Sequence, residues 1–426
     1  MNPLYITRAL EPIVLECSRH FKVVAVTGPR QVGKTTMLKH LAAQQGASGM
    51  DYSYVSLDDT EICILAKESP RLFFQRYKAP LIIDEIQKAP ELLPFIKEMV
   101  DASDEKGLFW ITGSQPFHLM KEISESLAGR VCVLEMLGLS GAELSGMSSV
   151  PFIPGGSFFI DRVKEATELE SSAVFGRIAA GSLPGIATLP VSMRATAYES
   201  YLDTYIMRDV RDLAQVGDEL RFRRFITACA ALTSKPVVYA ELARVADINE
   251  RTAKTWLSLL VSSYLVKIIP AYSNNLIKRL NKQPILHFTD TGLAAHLAGW
   301  DDAKTLELGA MSGKLFETYV FGELYKSFSN CGKVAPLSFF RTNDRKEIDL
   351  VLERNGVLYP IEVKQGASPR DAATKNFNAL DVLDAGTVSP ELVGFKREIG
   401  TGAVVCTANE TYPINSRAWA FPVWAI

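Results

Sequence analysis

The feature that most constrains this fold is a glycine-rich loop near the amino terminus, placed between a predicted strand and a predicted helix. Residues 21–26 are rich in β-branched side chains, and the residues after Thr27 match G-x-x-x-x-G-K-[ST] at every fixed position. Glycine permits positive φ and a close main-chain approach, so such a loop can surround triphosphate oxygens with backbone N–H groups. The pattern predicts an α/β P-loop core on a parallel sheet, with ATP bound by Gly28, Pro29, Arg30, Gln31, Val32, Gly33, Lys34, Thr35 and Thr36.

This loop and a second strand with an acidic end predict the catalytic groups. Lys34 should reach the β- and γ-phosphates, and the Thr35 hydroxyl should bind Mg²⁺. The apolar segment 80–83 ends in Asp84 and Glu85. We therefore expect Asp84 to bind Mg²⁺ and Glu85 to polarise the attacking water as general base.

Two more residues are candidates for contact with the phosphates. Ser114 follows the apolar segment 108–112, where a small polar side chain can sense the γ-phosphate, although the same residue equally fits an ordinary turn. Arg130 precedes another predicted strand and is a candidate arginine finger, acting in its own subunit or in a neighbouring one. Arg130 equally fits a solvated surface arginine.

Together these motifs resemble a known family. The runs GPRQVGKT (28–35), IDEIQ (83–87), TGS (112–114) and LAGR (127–130) look like a large prokaryotic family of predicted AAA+ superfamily ATPases. The resemblance covers almost the whole chain, because family members also carry a C-terminal domain that is similar to residues from about Gly181 onward. It implies an ASCE-type ATPase core and leaves the biological task open.

The chain length of 426 residues predicts several domains, since a single hydrophobic core rarely grows so large. We expect a P-loop AAA+ ATPase domain at 1–145, a loop-rich and helical connector or lid at 146–215, a winged helix-turn-helix at 216–275 and a nuclease-like domain at 276–426. In the connector, Arg208 and Asp209 match a family pattern and either contact nucleotide or belong to a solvated helix face.

The winged helix is predicted from two helical patterns, a short turn between them and a following apolar strand. Residues 216–282 hold eleven Lys and Arg against five Asp and Glu, whereas the whole chain has a net charge of -2. This local excess of positive charge favours nucleic acid, although winged helices in such ATPases also serve as packing or protein-contact modules. The residues expected to face a DNA major groove are Asn249, Arg251, Thr252 and Lys254.

The C-terminal region carries a pattern of acids that resembles the PD-(D/E)xK nuclease core. Glu362 and Lys364 alternate onto one face of a predicted strand, Asp349 lies on the preceding strand, and Glu317 matches the extra helical acid of those nucleases. Such carboxylates can bind Mg²⁺, and Lys364 can steady water or the scissile phosphate. The usual Pro-Asp is absent, because Ile348 precedes Asp349, and an inactive interaction module fits the same pattern.

Composition sets the remaining expectations. Apolar residues form 47% of the chain and charged residues 22%, the profile of a soluble globular protein. Six scattered cysteines form no zinc motif, and no signal peptide or membrane span is expected, so cytoplasm is the default compartment. The favoured function is an Mg²⁺-dependent ATPase whose nucleotide state gates DNA-binding and nuclease-like domains, with oligomers possible. The alternative is a nucleotide-switched scaffold that recruits a regulatory protein partner.

Overall fold

A computed structural model describes residues 5–46, 51–114, 123, 126–206, 218–273, 282–342, 344, 346–383 and 397–426. The chain forms two compact units. The first comprises Met1–Leu139 with Ser262–Tyr264 and Ser329–Lys333, and the second comprises Ser140–Val261, Leu265–Phe328 and Val334–Ile426. Arg208 and Asp209 lie outside the described residues.

The first unit is built on a five-stranded parallel sheet in the order β2-β3-β4-β1-β5. All five residues of the interior strand β1 are buried, as expected for a strand covered by helices on both faces. This arrangement confirms the α/β class and the parallel P-loop core. The strands are β1 (Val23–Thr27), β2 (Ser53–Ser56), β3 (Leu81–Asp84), β4 (Phe109–Gly113) and β5 (Val131–Glu135).

Helices pack against this sheet and complete its core. One apolar cluster joins the sheet to α5, whose Leu92, Leu93, Ile96 and Val100 are buried at helical spacing. Helix α3 begins where the Asp59 carboxylate accepts the backbone N–H groups of Glu61 and Ile62. The helices are α1 (Glu11–His20), α2 (Lys34–Gly46), α3 (Thr60–Glu68), α4 (Pro70–Arg76) and α5 (Leu92–Asp101), with a short 3₁₀ turn at Ile86–Lys88.

The parallel sheet gathers the predicted motifs at one edge. The P-loop follows β1 and leads directly into α2 at Lys34. Asp84 is the last residue of β3, and Ser114 comes directly after β4. Because the carboxyl ends of parallel strands share one edge, the loop, the acids and the candidate sensor are brought together there.

The second unit opens with short helices, followed by a compact group of three helices and a small sheet. The strand order is β6-β8-β7, and both pairings are antiparallel. Its last strand lies beyond residue 275, where sequence analysis expects the winged helix to end. The opening helices are α6 (Gly141–Ser145), α7 (Gly156–Glu165), α8 (Ser171–Ala180), α9 (Pro184–Ala187) and α10 (Val191–Tyr201), with a π-helical turn at Leu202–Ile206. The group comprises α11 (Glu219–Ala231), β6 (Lys235–Pro236), α12 (Tyr239–Ala246), α13 (Glu250–Ser262), β7 (Val266–Ile269) and β8 (Ile285–Phe288).

A seven-stranded mixed sheet follows three more helices in the same unit. Its path is β14-β15-β13-β11-β10-β9, with β12 paired to β11. Strands β9, β10 and β11 are antiparallel neighbours, whereas β13 lies parallel to β11. The helices are α14 (Thr291–Leu297), α15 (Ala303–Leu308) and α16 (Ser312–Ser329). The strands are β9 (Leu337–Arg341), β10 (Glu347–Arg354), β11 (Val357–Val363), β12 (Glu398–Ile399), β13 (Gly402–Cys406), β14 (Tyr412–Asn415) and β15 (Ala418–Pro422), with 3₁₀ turns at Asp371–Leu383 and Val423–Ala425.

Candidate nucleotide site and acidic cluster

The P-loop backbone has the curvature that phosphate binding needs. Gly28, Gln31 and Gly33 have φ of 149°, 61° and 93°. A Cβ on Gly28 would lie 2.0 Å from the carbonyl oxygen of Met136, so glycine is required there for close approach as well as for φ. In the rest of the loop, Pro29 and Val32 are buried, Arg30 and Thr35 partly so, and Gln31 and Thr36 are exposed.

Lys34 is held beneath its own loop. Its ammonium donates to the carbonyl oxygens of Gly28 at 3.0 Å and Pro29 at 2.7 Å. The side chain is buried, and this burial lowers the pKa of Lys34 to about 8, against the opposing effect of Glu85 and Asp84. A triphosphate would offer stronger acceptors than these two carbonyls, so the lysine is placed to exchange partners when nucleotide enters.

Asp84 lies between several hydroxyl groups. Thr35 Oγ1 donates to its Oδ1 at 2.7 Å, Thr112 Oγ1 to the same oxygen at 2.5 Å, and Tyr54 Oη to Oδ2 at 3.0 Å. A hydroxyl and a carboxylate in direct contact at the end of a P-loop are hard oxygen ligands of the type Mg²⁺ prefers. Thr35 and Asp84 therefore fit the ion that both are predicted to hold.

Glu85 is held in place by neighbouring side chains. Its backbone is left-handed, with φ of 59°, and its N–H donates to Thr112 Oγ1 at 3.1 Å. Ser114 Oγ donates to Glu85 Oε2 at 3.1 Å, and Gln87 Nε2 donates to that same oxygen and to Ser114 Oγ. The predicted base and the predicted sensor are thus in direct contact, which positions the carboxylate at the open edge of the sheet.

Arg130 lies at the opposite edge of the sheet. It directly precedes β5, whose Val131 pairs with the first residue of β1, whereas the P-loop follows the last residue of β1. Its guanidinium forms a bidentate pair with Asp101 and donates to Ala128 O at 2.9 Å. From this position Arg130 does not reach the phosphate loop of its own chain, and a role in a neighbouring subunit stays a prediction.

Arg8, which the sequence motifs do not single out, braces the P-loop. Its buried guanidinium donates to Val32 O at 2.7 Å and to Leu137 O at 2.8 Å, while its backbone N–H donates to Glu11 at 2.7 Å. A single side chain therefore ties the loop to the segment after β5. No motif signals this residue, because its partners are main-chain carbonyls.

The acidic cluster is defined here as Glu317, Asp349, Glu362 and Lys364. Leu350 of β10 pairs with Ile361 of the antiparallel strand β11. Asp349 and Glu362, the next residues in this register, therefore lie side by side on the two strands. Asp349 Oδ2 accepts the Val363 N–H at 2.8 Å, and Lys364 Nζ lies 2.7 Å from Glu362 Oε1.

Electrostatic interactions join Glu317 to this cluster from α16. Burial, followed by the charge of Asp349, raises the pKa of Glu317 to about 8 and that of Glu362 to about 7. Ser234 Oγ donates to Glu317 Oε2 at 2.9 Å and opposes part of that rise. The structure therefore places Asp349, Glu362 and Lys364 next to one another, with Glu317 within the electrostatic influence of Asp349. Ser234 is a neighbour of Glu317 that the sequence does not reveal.

This cluster offers few protein ligands to a metal ion, and Mg²⁺ is an ion that can be held by few. Within the described ranges, no three His, Cys, Asp or Glu side chains converge as a metal-binding group. Glu362 Oε2, however, is buried without a hydrogen-bond partner, and a buried carboxylate oxygen needs a proton or a cation. Mg²⁺ commonly takes only one or two carboxylates, with water and phosphate as its other ligands, so Asp349 and Glu362 are the residues that would hold it.

The candidate DNA contacts lie around the start of α13. Arg251 and Lys254 are exposed, and Lys254 Nζ lies 5.4 Å from the centre of the Tyr239 ring. Asn249 Oδ1 accepts the backbone N–H of Thr252 at 2.8 Å and caps the helix. The cations are thus available at the surface, whereas the Asn249 carbonyl oxygen already has a structural partner.

The first unit and its site define a class of protein: a nucleotide-binding P-loop protein of the AAA type. The sequence profile of the AAA domain matches residues 20–145, and profiles of two domains of unknown function, DUF8612 and DUF4143, match residues 173–304 and 312–426. The chain therefore consists of an N-terminal AAA domain followed by two domains of unknown function. This result confirms the resemblance drawn from the motifs.

Relatives extend over most of the chain. Uncharacterised proteins of Mycobacterium bovis (Mb2031c) and Mycobacterium tuberculosis (Rv2008c) are each 29% identical over 348 residues, covering 82% of this chain and 71% of theirs.

Among solved structures, the replication initiator DnaA bound to AMPPCP and single-stranded DNA shows 12% identity and a TM-score of 0.30, over 59% of this chain and 86% of its own. A structure described as the basis for katanin self-assembly shows 14% identity and a TM-score of 0.27, over 60% and 89%. The assignment rests on the AAA profile and on the site geometry. In the part of the chain that the structure describes, no helix has the length and apolar character to cross a membrane.

Proposed function

We propose that the protein is an Mg²⁺-dependent ATPase whose nucleotide state gates its C-terminal region. The ATPase proposal rests on two hydrogen bonds between predicted site residues at one edge of the sheet. Thr35 bonds Asp84 at 2.7 Å, and Ser114 bonds Glu85 at 3.1 Å. A metal-binding pair and a positioned carboxylate beside a P-loop are the parts that hydrolysis of a phosphoanhydride needs.

The protein groups divide the work of hydrolysis. Lys34 would leave its loop carbonyls and bind the β- and γ-phosphates, which neutralises charge as the terminal phosphoryl group departs. Glu85 would orient the attacking water and accept its proton, and Ser114 would hold Glu85 in the required direction. Bound Mg²⁺, held by Thr35 and Asp84, would supply further charge neutralisation to the phosphates.

The topology of the C-terminal region supports a nuclease-like output. Helix α16 carries Glu317, the antiparallel strands β10 and β11 carry Asp349 and Glu362, and a 3₁₀ segment leads to β13, which lies parallel to β11. This order resembles the PD-(D/E)xK core. Asp349 and Glu362 would hold Mg²⁺, and Lys364 would steady the attacking water or the scissile phosphate.

The three-helix group that contains α13 is proposed to bind the nucleic acid. The exposed cations Arg251 and Lys254 suit phosphate contacts, whereas Thr255 and Ser258 use their hydroxyls on main-chain oxygens of their own helix. Phosphate contacts give affinity without sequence information, so we expect salt-dependent binding with little sequence preference.

Arg130 would act on a neighbouring subunit's phosphates, which requires an oligomer. The expected location is the cytoplasm.

The test is ATP turnover with Mg²⁺, with and without DNA, in wild type, Lys34→Ala and Glu85→Gln. Lys67→Ala, an exposed lysine on α3, is the matched control. We expect turnover that rises with DNA and falls at least about a hundredfold in the two site variants, while Lys67→Ala stays at the wild-type rate. No nucleotide binding by wild type would refute the proposal.

The output is tested separately on labelled DNA with Mg²⁺ and ATP. Cleavage that disappears in Glu362→Ala and Lys364→Ala supports the nuclease-like output. If wild type turns over ATP but cuts no polynucleotide, and its affinity for a protein partner changes between ATP and ADP, the C-terminal region is a nucleotide-switched recruitment module instead.

A further inference from the structure

Two adjacent residues outside the C-terminal domain act on the acidic cluster, Ser234 by contact and Lys235 through its charge. Ser234 directly precedes β6 and Lys235 begins it, within the first domain of unknown function, whereas the cluster belongs to the second. Ser234 Oγ bonds Glu317 Oε2 at 2.9 Å, and the preceding Thr233 bonds Thr318 through the two hydroxyls at 2.8 Å. Two consecutive side-chain pairs therefore fasten this turn to helix α16.

The backbone of this turn adopts a strained conformation at Ser234. Ser234 has a φ of 60°, in the left-handed region that a serine seldom adopts, and its side chain is buried. Its N–H donates to Leu286 O at 2.7 Å, so the strained conformation is fixed by the sheet and aims the hydroxyl at Glu317. Strained residues of this kind collect at functional sites.

Lys235 adds a positive charge to the carboxylates. Its side chain is exposed. Burial and neighbouring carboxylates raise the pKa of Glu317 and of Asp349, and the charge of Lys235 opposes both increases. At Asp349 the hydrogen bond from the Val363 N–H opposes the increase as well. A phosphate group could bind the exposed Lys235 ammonium while it also met a cation held by Asp349 and Glu362.

We propose that Ser234 and Lys235 complete the acidic cluster as a composite site for a polynucleotide phosphate group. Ser234 is a positioning residue for Glu317, and Lys235 binds the phosphate. The buried, unpartnered Glu362 Oε2 marks the place of the cation beside it. This inference rests on the proposed nuclease-like function and adds that the winged-helix part supplies residues to the same site.

The composite site predicts effects of opposite sign from neighbouring residues. Loss of the Lys235 charge should tighten divalent-cation binding, because one repelling charge is removed, and should weaken phosphate binding. Loss of the Ser234 hydroxyl should weaken cation binding, because the ionised form of Glu317 loses a hydrogen bond. Damage to the fold would shift both variants in the same direction.

The experiment measures Mn²⁺ binding to the full chain by electron paramagnetic resonance without nucleotide, counting only binding that Glu362→Gln removes. We expect Lys235→Ala to tighten Mn²⁺ about three- to tenfold, Lys235→Arg to match wild type and Ser234→Gly to weaken it. Glycine is the chosen replacement because it adopts a φ of 60° without strain. Lys304→Ala, an exposed lysine on α15, is the control and should change nothing.

Mn²⁺-dependent binding and cleavage of a labelled DNA duplex complete the test. Lys235→Ala should bind the duplex more weakly and, where wild type cleaves, cut it about tenfold more slowly or worse. Unchanged Mn²⁺ affinity in Lys235→Ala, or the absence of any Mn²⁺ binding that depends on Glu362, overturns the inference. Wild type that shows the predicted Mn²⁺ and DNA-binding pattern but never cleaves would refute the nuclease output alone and leave the composite site standing.

Discussion

Raising the pH from 7 to 9 should weaken ATP binding about tenfold through the single ammonium of Lys34. Burial lowers the pKa of this group to about 8 from 10.5, with Glu85 and Asp84 opposing the change and Arg30 adding to it. The net shift corresponds to roughly 3 kcal/mol of destabilisation of the charged form. A triphosphate brings acceptor oxygens and negative charge, so the pKa of Lys34 should return to its ordinary value or above in the complex.

The sign and size of the effect follow from this shift. Only the protonated lysine binds phosphate well, and with a pKa of about 8 it is about nine-tenths protonated at pH 7 and about one-tenth protonated at pH 9. Affinity should therefore fall as the pH rises. At pH 8 about half a proton should be taken up for each ATP bound, because half of the free lysines are neutral. Phosphate groups themselves titrate near pH 6, below this window.

Isothermal titration calorimetry with a non-hydrolysable ATP analogue and Mg²⁺ measures both quantities. Titrations at pH 8 in two buffers of different ionisation enthalpy give the proton uptake, and a series from pH 7 to 9 gives the affinities. Lys34→Arg is the matched control, since a guanidinium stays protonated across this range. Its affinity should be lower than that of wild type but independent of pH, with no proton uptake.

A wild-type affinity that is constant between pH 7 and 9, with a binding enthalpy that does not depend on the buffer, would contradict the lowered pKa of Lys34. The same proton uptake in Lys34→Arg as in wild type would show that another group is the source.

Three shorter predictions follow. Gly28→Ala should destabilise the AAA domain by about 3 kcal/mol or more and abolish nucleotide binding, because its methyl group would meet a carbonyl oxygen at 2.0 Å; Gly155→Ala, with open space around its Cβ, is the calorimetric control. Thr112→Val should lower ATP turnover at least about tenfold with little change in nucleotide affinity, because Asp84 and the Glu85 N–H both lose a partner, at a cost of about 1–3 kcal/mol in unfolding free energy. In Glu317→Gln, the melting temperature should rise relative to wild type as the pH increases from 4.5 to 8. Wild type loses stability over that window, by on the order of 2–5 kcal/mol, because this carboxyl ionises in the unfolded chain while the buried one stays protonated; equal pH profiles would contradict the raised pKa.

The parts of the molecule that sequence predicts well are those whose chemistry lies in contiguous residues. The loop from Gly28 to Thr36 needs its glycines, lysine and hydroxyl at fixed spacing, and the parallel sheet and AAA domain inferred from it are confirmed. The α/β class was likewise predictable, because apolar strands followed by helices leave few other folds.

Arg8 shows why other site residues escape such prediction. It contacts the P-loop through main-chain carbonyls, and any residue can supply a carbonyl, so no pattern of side chains records the interaction. Arg130 shows the converse. Its motif is recognisable, yet a motif does not reveal which edge of a sheet a residue occupies, and the pairing of Val131 with Val23 places it away from its own P-loop.

Ser234 combines both difficulties, since neither its partner nor its conformation can be read from local sequence. Its contact with Glu317 spans 83 residues and joins two separately matched domains, so each domain taken alone lacks part of the site. The positive φ of Ser234 carries an energetic cost that the three-stranded sheet must offset, so the cluster's geometry depends on the stability of the three-helix group and its sheet. A change that loosens that group would reach Glu317 through this turn, and the two domains would then respond to it together.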